Sequence, residues 1–350
     1  MRREQEVVCK KIAAVLAATI LSVIITGCSA ATESKVETPA EEDDRIQIGL
    51  SIDSLLIERW SRERDLFVSK AQELGAEVNV QNANGEVEEQ IKQIRYFIDK
   101  KMDVIVVIAI DDIALKDAIA EAKKEGIKVI AYDRPIRNAN VDLYLSVDNE
   151  KVGELMAEYI KKKIGNEGTI IQVKGSPTDY NVQMVQDGFE RILSTTKIKI
   201  DYAEFSDGWV AENGFTVTDE YLKTGKTPDA IMCGNDNLAA HAIRALIEHR
   251  LGGKVCVVGQ DADLEACQRI VEGTQYMTVY KPVEKLAIKA AERSVDMASG
   301  VPLGLKDTFN DGTYDVPYEK LKPIAVTKSN MDEVITGKYH QKNEIYLNVQ

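Results

Sequence analysis

The sequence predicts an α/β protein with two doubly wound lobes, each built around a parallel sheet. Apolar strand-length segments alternate with amphipathic helix-length segments from residue 46 onward, and the alternation resumes after about residue 150. One segment, 104–109 (VIVVIA), is apolar throughout, as expected for a strand covered on both faces. The long connections between successive strands require crossovers and hence parallel pairing.

The individual elements follow from periodicity and from helix-ending glycines. In the first half, Phe67, Ala71 and Leu74 share one helix face, and Gly75 ends that helix. The predicted strands are 46–52, 76–81, 104–109, 128–132, 169–173, 198–205, 229–233, 255–258 and 276–280. The predicted helices are 87–100, 114–125 and segments near 150–164, 182–194, 210–224 and 236–249.

Three chain crossings between the lobes are expected. The first falls near residues 146–148, the second follows the strand that leads into Pro282, and the third lies within 305–327. The first lobe is therefore predicted to comprise 45–147 plus 282–312. The second is predicted to comprise 148–281 plus 313–340.

The N-terminal stretch is typical of a secretory signal. The first eleven residues include four basic ones, Arg2, Arg3, Lys10 and Lys11, and an apolar run from Ile12 to Ile25 follows, too short for a comfortable membrane span. The run ends in Ile25-Thr26-Gly27-Cys28, which resembles a bacterial lipobox and predicts acylation of Cys28 and an extracytoplasmic lipoprotein at the cell membrane. An uncleaved anchor helix is the alternative. Residues 29–44 are rich in Ser, Thr, Glu, Asp, Ala and Pro and are expected to form a flexible tether.

Composition excludes several function classes. The 350-residue chain carries 57 acidic and 44 basic residues, a formal charge of −13, which lacks the basic footprint of a nucleic-acid binder. Five cysteines without a CxxC pair and three histidines give no metal-site spacing, so neither a metal nor another cofactor is expected. Cys233, Cys256 and Cys267 are predicted to be buried free thiols.

Polar and aromatic side chains follow the carboxyl ends of the predicted strands, where open parallel sheets bind ligands. Each has an ordinary alternative: an Asp after a strand often caps a helix, Arg59 could be a surface charge, and Trp209 could be core. Their arrival together at one end of two sheets favours a binding site. The candidates are Arg59, Trp60, Asp133, Arg134, Asn181, Trp209, Asn235, Asp261 and Lys281.

These residue types suit a sugar. Carboxylate, amide and guanidinium groups can pair bidentately with hydroxyls, and an indole stacks on the apolar CH face of a sugar ring. No nucleophile is paired with a histidine base, and no carboxylates form an evident acid/base pair, so an enzyme is not expected. Gly225-Lys226-Thr227 lacks the leading glycine of a P-loop because position 220 is Glu.

Over residues 45–340 the chain resembles the periplasmic sugar-binding proteins of ABC transporters, in the branch related to ribose- and galactose-binding proteins. The Asp133-Arg134 pair is shared by many pentose and hexose binders. Three segments look like those of the xylose-binding members of this family: Arg59-Trp60, Gln260-Asp261-Ala262-Asp263 and Val279-Tyr280-Lys281-Pro282. Two departures are Tyr180, where a smaller polar residue is expected, and Val210-Ala211 after Trp209.

The resemblance implies a type I binding fold with a three-crossing hinge and D-xylose, or a closely related monosaccharide, bound between the lobes. It places Arg59, Trp60, Asp133 and Arg134 on the first lobe and Asn181, Trp209, Asn235 and Asp261 on the second, with Lys281 near the hinge. Trp60 and Trp209 would then sandwich the pyranose.

The implied partner is an ABC permease. A membrane sensor kinase is the alternative partner, because the same sugar site would serve a co-receptor that controls uptake genes. A sugar-processing enzyme is disfavoured by the missing catalytic pairing. A sugar-responsive repressor is disfavoured because an export signal stands where a helix-turn-helix would be needed.

Overall fold

The computed structural model describes residues 45–55 and 57–349, so the predicted signal, Cys28 and the predicted tether lie outside the described residues. The chain from Arg45 onward forms a unit of its own. Its strands are β1 (Gln47–Ile52), β2 (Glu77–Asn82), β3 (Val104–Val107), β4 (Lys128–Tyr132), β5 (Leu143–Val147), β6 (Glu167–Lys174), β7 (Lys197–Phe205), β8 (Ala230–Cys233), β9 (Cys256–Gln260), β10 (Met277–Tyr280), β11 (Thr308–Asn310), β12 (Asp315–Leu321) and β13 (Ile324–Val326).

Helices fill most of the connections between these strands, and a single 3₁₀ turn covers Asp207–Trp209. The helices are α1 (Glu58–Glu73), α2 (Val87–Asp99), α3 (Lys116–Lys124), α4 (Asn149–Ile164), α5 (Tyr180–Leu193), α6 (Glu212–Lys223), α7 (Asp236–Glu248), α8 (Leu264–Glu272), α9 (Val283–Ala298), α10 (Met331–Val334) and α11 (Lys342–Ile345). Within the described ranges, no helix has both the length and the apolar run needed to cross a bilayer.

The strands form two sheets, which confirms the predicted fold class. The first has the order β11-β12-β5-β4-β3-β1-β2 and the second the order β13-β10-β9-β8-β6-β7. Pairing is parallel except for β11 with β12 and β13 with β10. Each sheet is covered by helices on both faces. In β3, Val104 and Val106 join the core beneath α1 and α9, while Ile105 and Val107 join the core beneath α2 and α3.

The same alternation organises the second sheet. Ile170 and Met232 pack into a core shared with α4 and α5, and their neighbours Ile171 and Ile231 pack beneath α6 and α7. The expected free thiols are buried: Cys233 and Cys256 lie in β-strands, and Cys267 lies in α8. The apolar residues on each face of the second sheet therefore form a continuous layer beneath the helices that cover it.

The third crossing lies later than the sequence suggested. Residues 315–321 were expected in the second lobe, but β12 pairs in parallel with β5, from Tyr318 with Tyr144 to Leu321 with Val147. The chain reaches the second sheet only at β13, which pairs with β10. The first lobe therefore gains a hairpin of β11 and β12, and the predicted boundary at residue 312 is wrong. The chain also passes from one sheet to the other after β5 and after β10.

Candidate functional site

A cavity lies between the carboxyl edges of the two sheets. Its walls enclose about 550 Å³, part of it open to solvent, which is within the range of small-molecule sites. The structure brings all nine predicted site residues to these walls: Arg59, Trp60, Asp133, Arg134, Asn181, Trp209, Asn235, Asp261 and Lys281. Loops after β4, β6, β8, β9 and β10 supply most of them, which is the position expected of a ligand site in parallel sheets.

The first turn of α1 carries Arg59 and Trp60, each only 2% exposed. Arg59 hydrogen-bonds Glu63 one turn along the helix through Nε and Nη2, and its Nη2 also donates to Asp133 Oδ2 at 2.6 Å. The guanidinium carbon lies 4.3 Å from the centroid of the Trp60 ring. Both residues are therefore held in fixed positions by the first lobe alone.

Glu63 holds Arg59 in place from outside the cavity wall. It is 2% exposed and accepts hydrogen bonds from Arg59 and from the Tyr132 hydroxyl. Burial raises the pKa of Glu63 to about 7, although the charge and hydrogen bond of Arg59 oppose the shift. The carboxyl group is thus poised to change charge near neutral pH while staying out of the cavity's ligand-facing wall.

Asp133 and Arg134 follow β4 directly. Asp133 has a φ of 63°, a left-handed conformation that costs a non-glycine residue about 1–3 kcal/mol and is characteristic of functional sites. Burial alone would raise the pKa of Asp133, but the positive charges of Arg59, Lys281 and Arg134 outweigh it and hold the pKa below its usual value. Asp133 therefore stays ionised at the cavity wall.

Arg134 is fixed by its own lobe and by the other. Its Nη1 donates to Asp53 Oδ2 at 2.7 Å and to the carbonyl of Ala109 at 2.9 Å. Its Nε lies 2.8 Å from Oδ2 of Asp179, which caps α5 in the second lobe. Burial raises the pKa of Asp179 to about 6, with Arg134 opposing the shift.

Trp209 reaches the cavity from the 3₁₀ turn of the second lobe. Its φ of 58° is left-handed, and its ring lies directly over Gly175, where a Cβ atom would be only 2.1 Å from the indole Cη2. A glycine is therefore required at position 175. The buried indole nitrogens of Trp209 and Trp60 both lack a hydrogen-bond partner. Buried N–H donors in this state are rare in proteins, so both groups call for an acceptor such as an ordered water or a bound molecule.

The remaining second-lobe groups converge from β8, β9 and β10. Asn235 caps α7 by accepting from the amide of Leu238 at 2.9 Å, so the capping alternative holds for it alongside its place in the cavity wall. Lys281 Nζ lies 2.6 Å from Asp261 Oδ1, but the two groups do not meet hydrogen-bond geometry, so that oxygen lacks a hydrogen-bond partner. Arg59 Nη1 approaches the same oxygen at 3.7 Å from the first lobe.

One short segment of the second lobe, residues 178–181, makes most of the direct hydrogen bonds between the lobes beside the cavity. The backbone oxygen of Thr178 accepts from the amide of Asp112 at 3.0 Å, and its hydroxyl donates to the carbonyl of Ile110. Asn181 Nδ2 donates to the carbonyl of Asp133 at 3.1 Å, and Asn181 Oδ1 accepts from Tyr144 and from Asn149. Asn181 therefore links the lobes as well as lining the cavity.

Comparison with known proteins now places the chain in a family. Residues 48–301 match the family described as "Periplasmic binding protein domain". The D-xylose-binding periplasmic protein of Haemophilus influenzae is 46% identical over 307 residues, which cover 86% of this chain and 92% of that protein. The D-xylose-binding periplasmic protein of Escherichia coli is 41% identical over 332 residues, which cover 93% of this chain and 99% of that protein. The chain belongs to the periplasmic binding protein family.

Solved structures agree with this assignment. An ABC transporter solute binding protein from Clostridium phytofermentans with bound β-D-glucose superposes with a TM-score of 0.79 at 25% identity, covering 85% of this chain and 99% of that one. Family members are extracytoplasmic binding proteins. Within the described residues of this periplasmic binding protein, no group of three His, Cys, Asp or Glu side chains is arranged to hold a metal ion.

Sequence reasoning missed several residues that build the site of this periplasmic binding protein. Asp53, Asp179 and Gln260 stand at strand ends in the sequence and could have been chosen on that signal alone. Lys174, the last residue of β6, lines the cavity as well. Glu63 gave no signal, because a Glu four residues after an Arg on a helix is the usual pattern of a surface ion pair.

The two departures from the family pattern lie off the cavity. Tyr180 is not among the lining residues; its ring packs edge-on against Phe309 of the first lobe, with centroids 6.2 Å apart, and beneath Arg137. Val210 is 47% exposed. Neither residue changes the composition of the cavity wall.

Replacing Glu63 tests its role in the pH dependence of stability. Because its pKa of about 7 in the folded protein exceeds the value of about 4.3 for an unfolded chain, the folded state retains a proton that the unfolded state releases. The stabilisation from this difference is complete below about pH 4.3 and is lost as pH rises through 7. The free energy of unfolding of the native protein minus that of Glu63→Gln should therefore fall between pH 4.5 and 7.5 in denaturant titrations.

The exposed residue Leu347 provides the control, since Leu347→Ala changes no titratable group. Leu347→Ala should give a difference that is flat across the same pH range. A flat difference for Glu63→Gln as well would show that the buried carboxyl stays ionised throughout.

Proposed function

We propose that this chain binds D-xylose between its lobes, without chemical turnover, and delivers it to an ABC transporter. The relatives at 46% and 41% identity are named D-xylose-binding periplasmic proteins. The observation that carries the proposal is that polar atoms of both lobes without a hydrogen-bond partner line one cavity beside the ion-paired carboxylate of Asp261: the indole nitrogens of Trp60 and Trp209 and Oε1 of Gln260.

The hydroxyl groups of a small polyol can hydrogen-bond with the polar atoms of this cavity wall. Each sugar hydroxyl both donates and accepts, so it can accept a hydrogen bond from an indole N–H and donate one to a carboxylate. Leaving one of these buried groups unpaired costs about 1–3 kcal/mol, which gives the site its selectivity among stereoisomers. The apolar ring faces of the sugar suit the two indoles, and an aromatic contact adds roughly 0.5–1.5 kcal/mol beyond buried area.

Sugar binding would act by stabilising the closed arrangement of the lobes. A ligand that touches Arg59 and Trp60 on one lobe and Trp209 and Asp261 on the other has its full set of contacts only when the lobes are closed. Its difference in affinity between the open and closed forms is what shifts the population. The hydrogen bonds of residues 178–181 then form together with the sugar contacts.

Titration of the purified protein with sugars, followed by tryptophan fluorescence and calorimetry, tests the binding. D-xylose should bind with a Kd well below millimolar, and D-glucose should bind more weakly because its extra CH₂OH group must fit the same closed cavity. Trp209→Leu should weaken xylose binding by at least about tenfold, since it removes an aromatic contact and a buried N–H donor.

Tyr314→Leu is the matched control, because Tyr314 is an exposed aromatic residue that does not line the cavity. It should leave the xylose Kd unchanged. Absence of any xylose response at millimolar concentration would refute the proposed ligand.

Whether the bound sugar is transported or only sensed requires a test of its own. A sensing role has one observation in its favour: a relative at 28% identity, covering 92% of this chain, is named "Multiple sugar-binding periplasmic receptor ChvE". In cells that express the transporter genes from a constitutive promoter, deletion of this chain should abolish uptake of labelled xylose at micromolar concentration. Normal uptake under those conditions would instead favour a co-receptor that only controls expression through a sensor kinase.

We further propose that Cys28 carries the lipid anchor. The support is the lipobox-like Ile25-Thr26-Gly27-Cys28 after a basic and apolar leader, followed by sixteen residues of tether before the folded unit begins at Arg45. Labelled palmitate should be incorporated into the full chain expressed in its host and not into Cys28→Ser. A label retained by Cys28→Ser, or absent from both proteins, would contradict the anchor.

A further inference from the structure

The loop after β9, residues 261–263, presents Asp261 to the cavity in a strained backbone conformation. Asp261 has a φ of 105° and Ala262 a φ of 57°, so two consecutive non-glycine residues are left-handed. Such a pair persists only where surrounding contacts over-determine it. The direction of the Asp261 carboxylate therefore depends on whatever holds Ala262.

Both backbone polar groups of Ala262 make hydrogen bonds to side chains. Its amide donates to Thr278 Oγ1 at 3.1 Å, and Thr278 in turn donates to the fully buried Asp236 at 2.7 Å. Its carbonyl oxygen lies 2.8 Å from Nε2 of His340. Because a carbonyl oxygen can only accept, the His340 Nε2 must carry the proton and donate it.

His340 comes from the end of the chain and is itself held rigidly. It is 4% exposed, and the segment around it packs into a core formed with α8 by Met331, Ile335, Tyr339 and Ile345. His340 does not line the cavity. The imidazole thus joins the packed C-terminal segment to the strained loop without reaching the ligand.

We propose that His340 is a positioning residue for the sugar-binding carboxylate of Asp261, so that the C-terminal segment 331–349 is part of the binding apparatus. This inference rests on the proposed sugar binding. His340 acts by fixing the Ala262 carbonyl and thereby the left-handed turn that aims Asp261 beside Lys281 and Arg59. Loss of the bond lets the turn relax toward ordinary backbone conformations, and the carboxylate leaves its position.

Three variants separate positioning from simple packing. His340→Leu, which keeps the apolar bulk without the donor, should weaken xylose binding about three- to tenfold, the loss expected when one hydrogen bond to the loop is removed. His340→Gln places an amide N–H close to the position of Nε2 and should restore affinity to within about twofold. His249→Gln is the control, because His249 pairs with Asp219 at the surface of the second lobe and should leave affinity unchanged.

A double-mutant cycle on the xylose affinity distinguishes an effect of His340 through Asp261 from general destabilisation. Asp261→Asn alone should weaken xylose binding at least about tenfold. If His340 acts through Asp261, adding His340→Leu to Asp261→Asn should cost almost nothing more, whereas a general packing defect would add its full effect. If the thermal transition shows that His340→Leu does not fold, Thr278→Val can replace it in the cycle. This variant removes the hydroxyl that accepts from the amide of Ala262.

The outcomes are distinct. Loss of affinity in Asp261→Asn with additive or absent effects of His340→Leu and Thr278→Val overturns the positioning role and leaves the proposed function intact. An unchanged affinity in Asp261→Asn overturns both the positioning role and the assignment of Asp261 to the sugar. Equal losses in His340→Leu and His340→Gln also overturn it, because the donor would then be irrelevant.

Discussion

Buried positive charge is the constraint on which the cleft is built. Arg59, Arg134 and Lys281 are each less than 7% exposed, and an unpaired charge at such a depth costs several kcal/mol. Each is compensated by carboxylates, and the compensation is divided between the lobes. The first lobe supplies Glu63 and Asp133 to Arg59 and Asp53 to Arg134, and the second lobe supplies Asp261 and Asp179. Lys281 pairs with Asp261 of its own lobe at 2.6 Å, so each buried cation has a carboxylate partner within its lobe, and Arg59 and Arg134 gain a second-lobe carboxylate when the lobes are together.

This division makes the closed form responsive to a small ligand. When the lobes separate, the buried ion pair of Arg134 with Asp179 is lost, but both groups regain water, and the recovered hydration offsets much of the lost Coulombic attraction. The neutral hydrogen bonds of residues 178–181 add a modest further preference for closure. The proposed sugar contacts exist only in the closed form, so they add a preference for closure that the protein's own contacts do not supply.

The fold and most of the site could be predicted because parallel sheets link local pattern to global position. Every strand followed by a polar residue sends that residue to the same edge, so Asp133, Asn235 and Asp261 could be placed together without knowing any contact between them. The prediction failed where pairing is remote in sequence. Strand β12 pairs with β5 across some 170 residues, and nothing local distinguishes it from a strand of the second lobe. His340 escaped notice for the same reason, since its partner lies 78 residues earlier.

Several residues of the site have strained backbone conformations, and side chains from the surrounding protein hold them in place. Asp133, Trp209 and Asp261 all have left-handed backbones, so three of the nine predicted site residues have conformations that non-glycine residues rarely adopt. Each is held by side chains bonded to nearby backbone. Ser146, Tyr144 and Asn181 all donate to the carbonyl of Asp133, and the Ser206 hydroxyl donates to the carbonyl of Val210 beside Trp209. Ser146, Tyr144 and Ser206 lie outside the cavity wall and still fix the backbone of residues within it, and the bond from Asn181, which does line the cavity, ties the Asp133 backbone to the closure of the lobes.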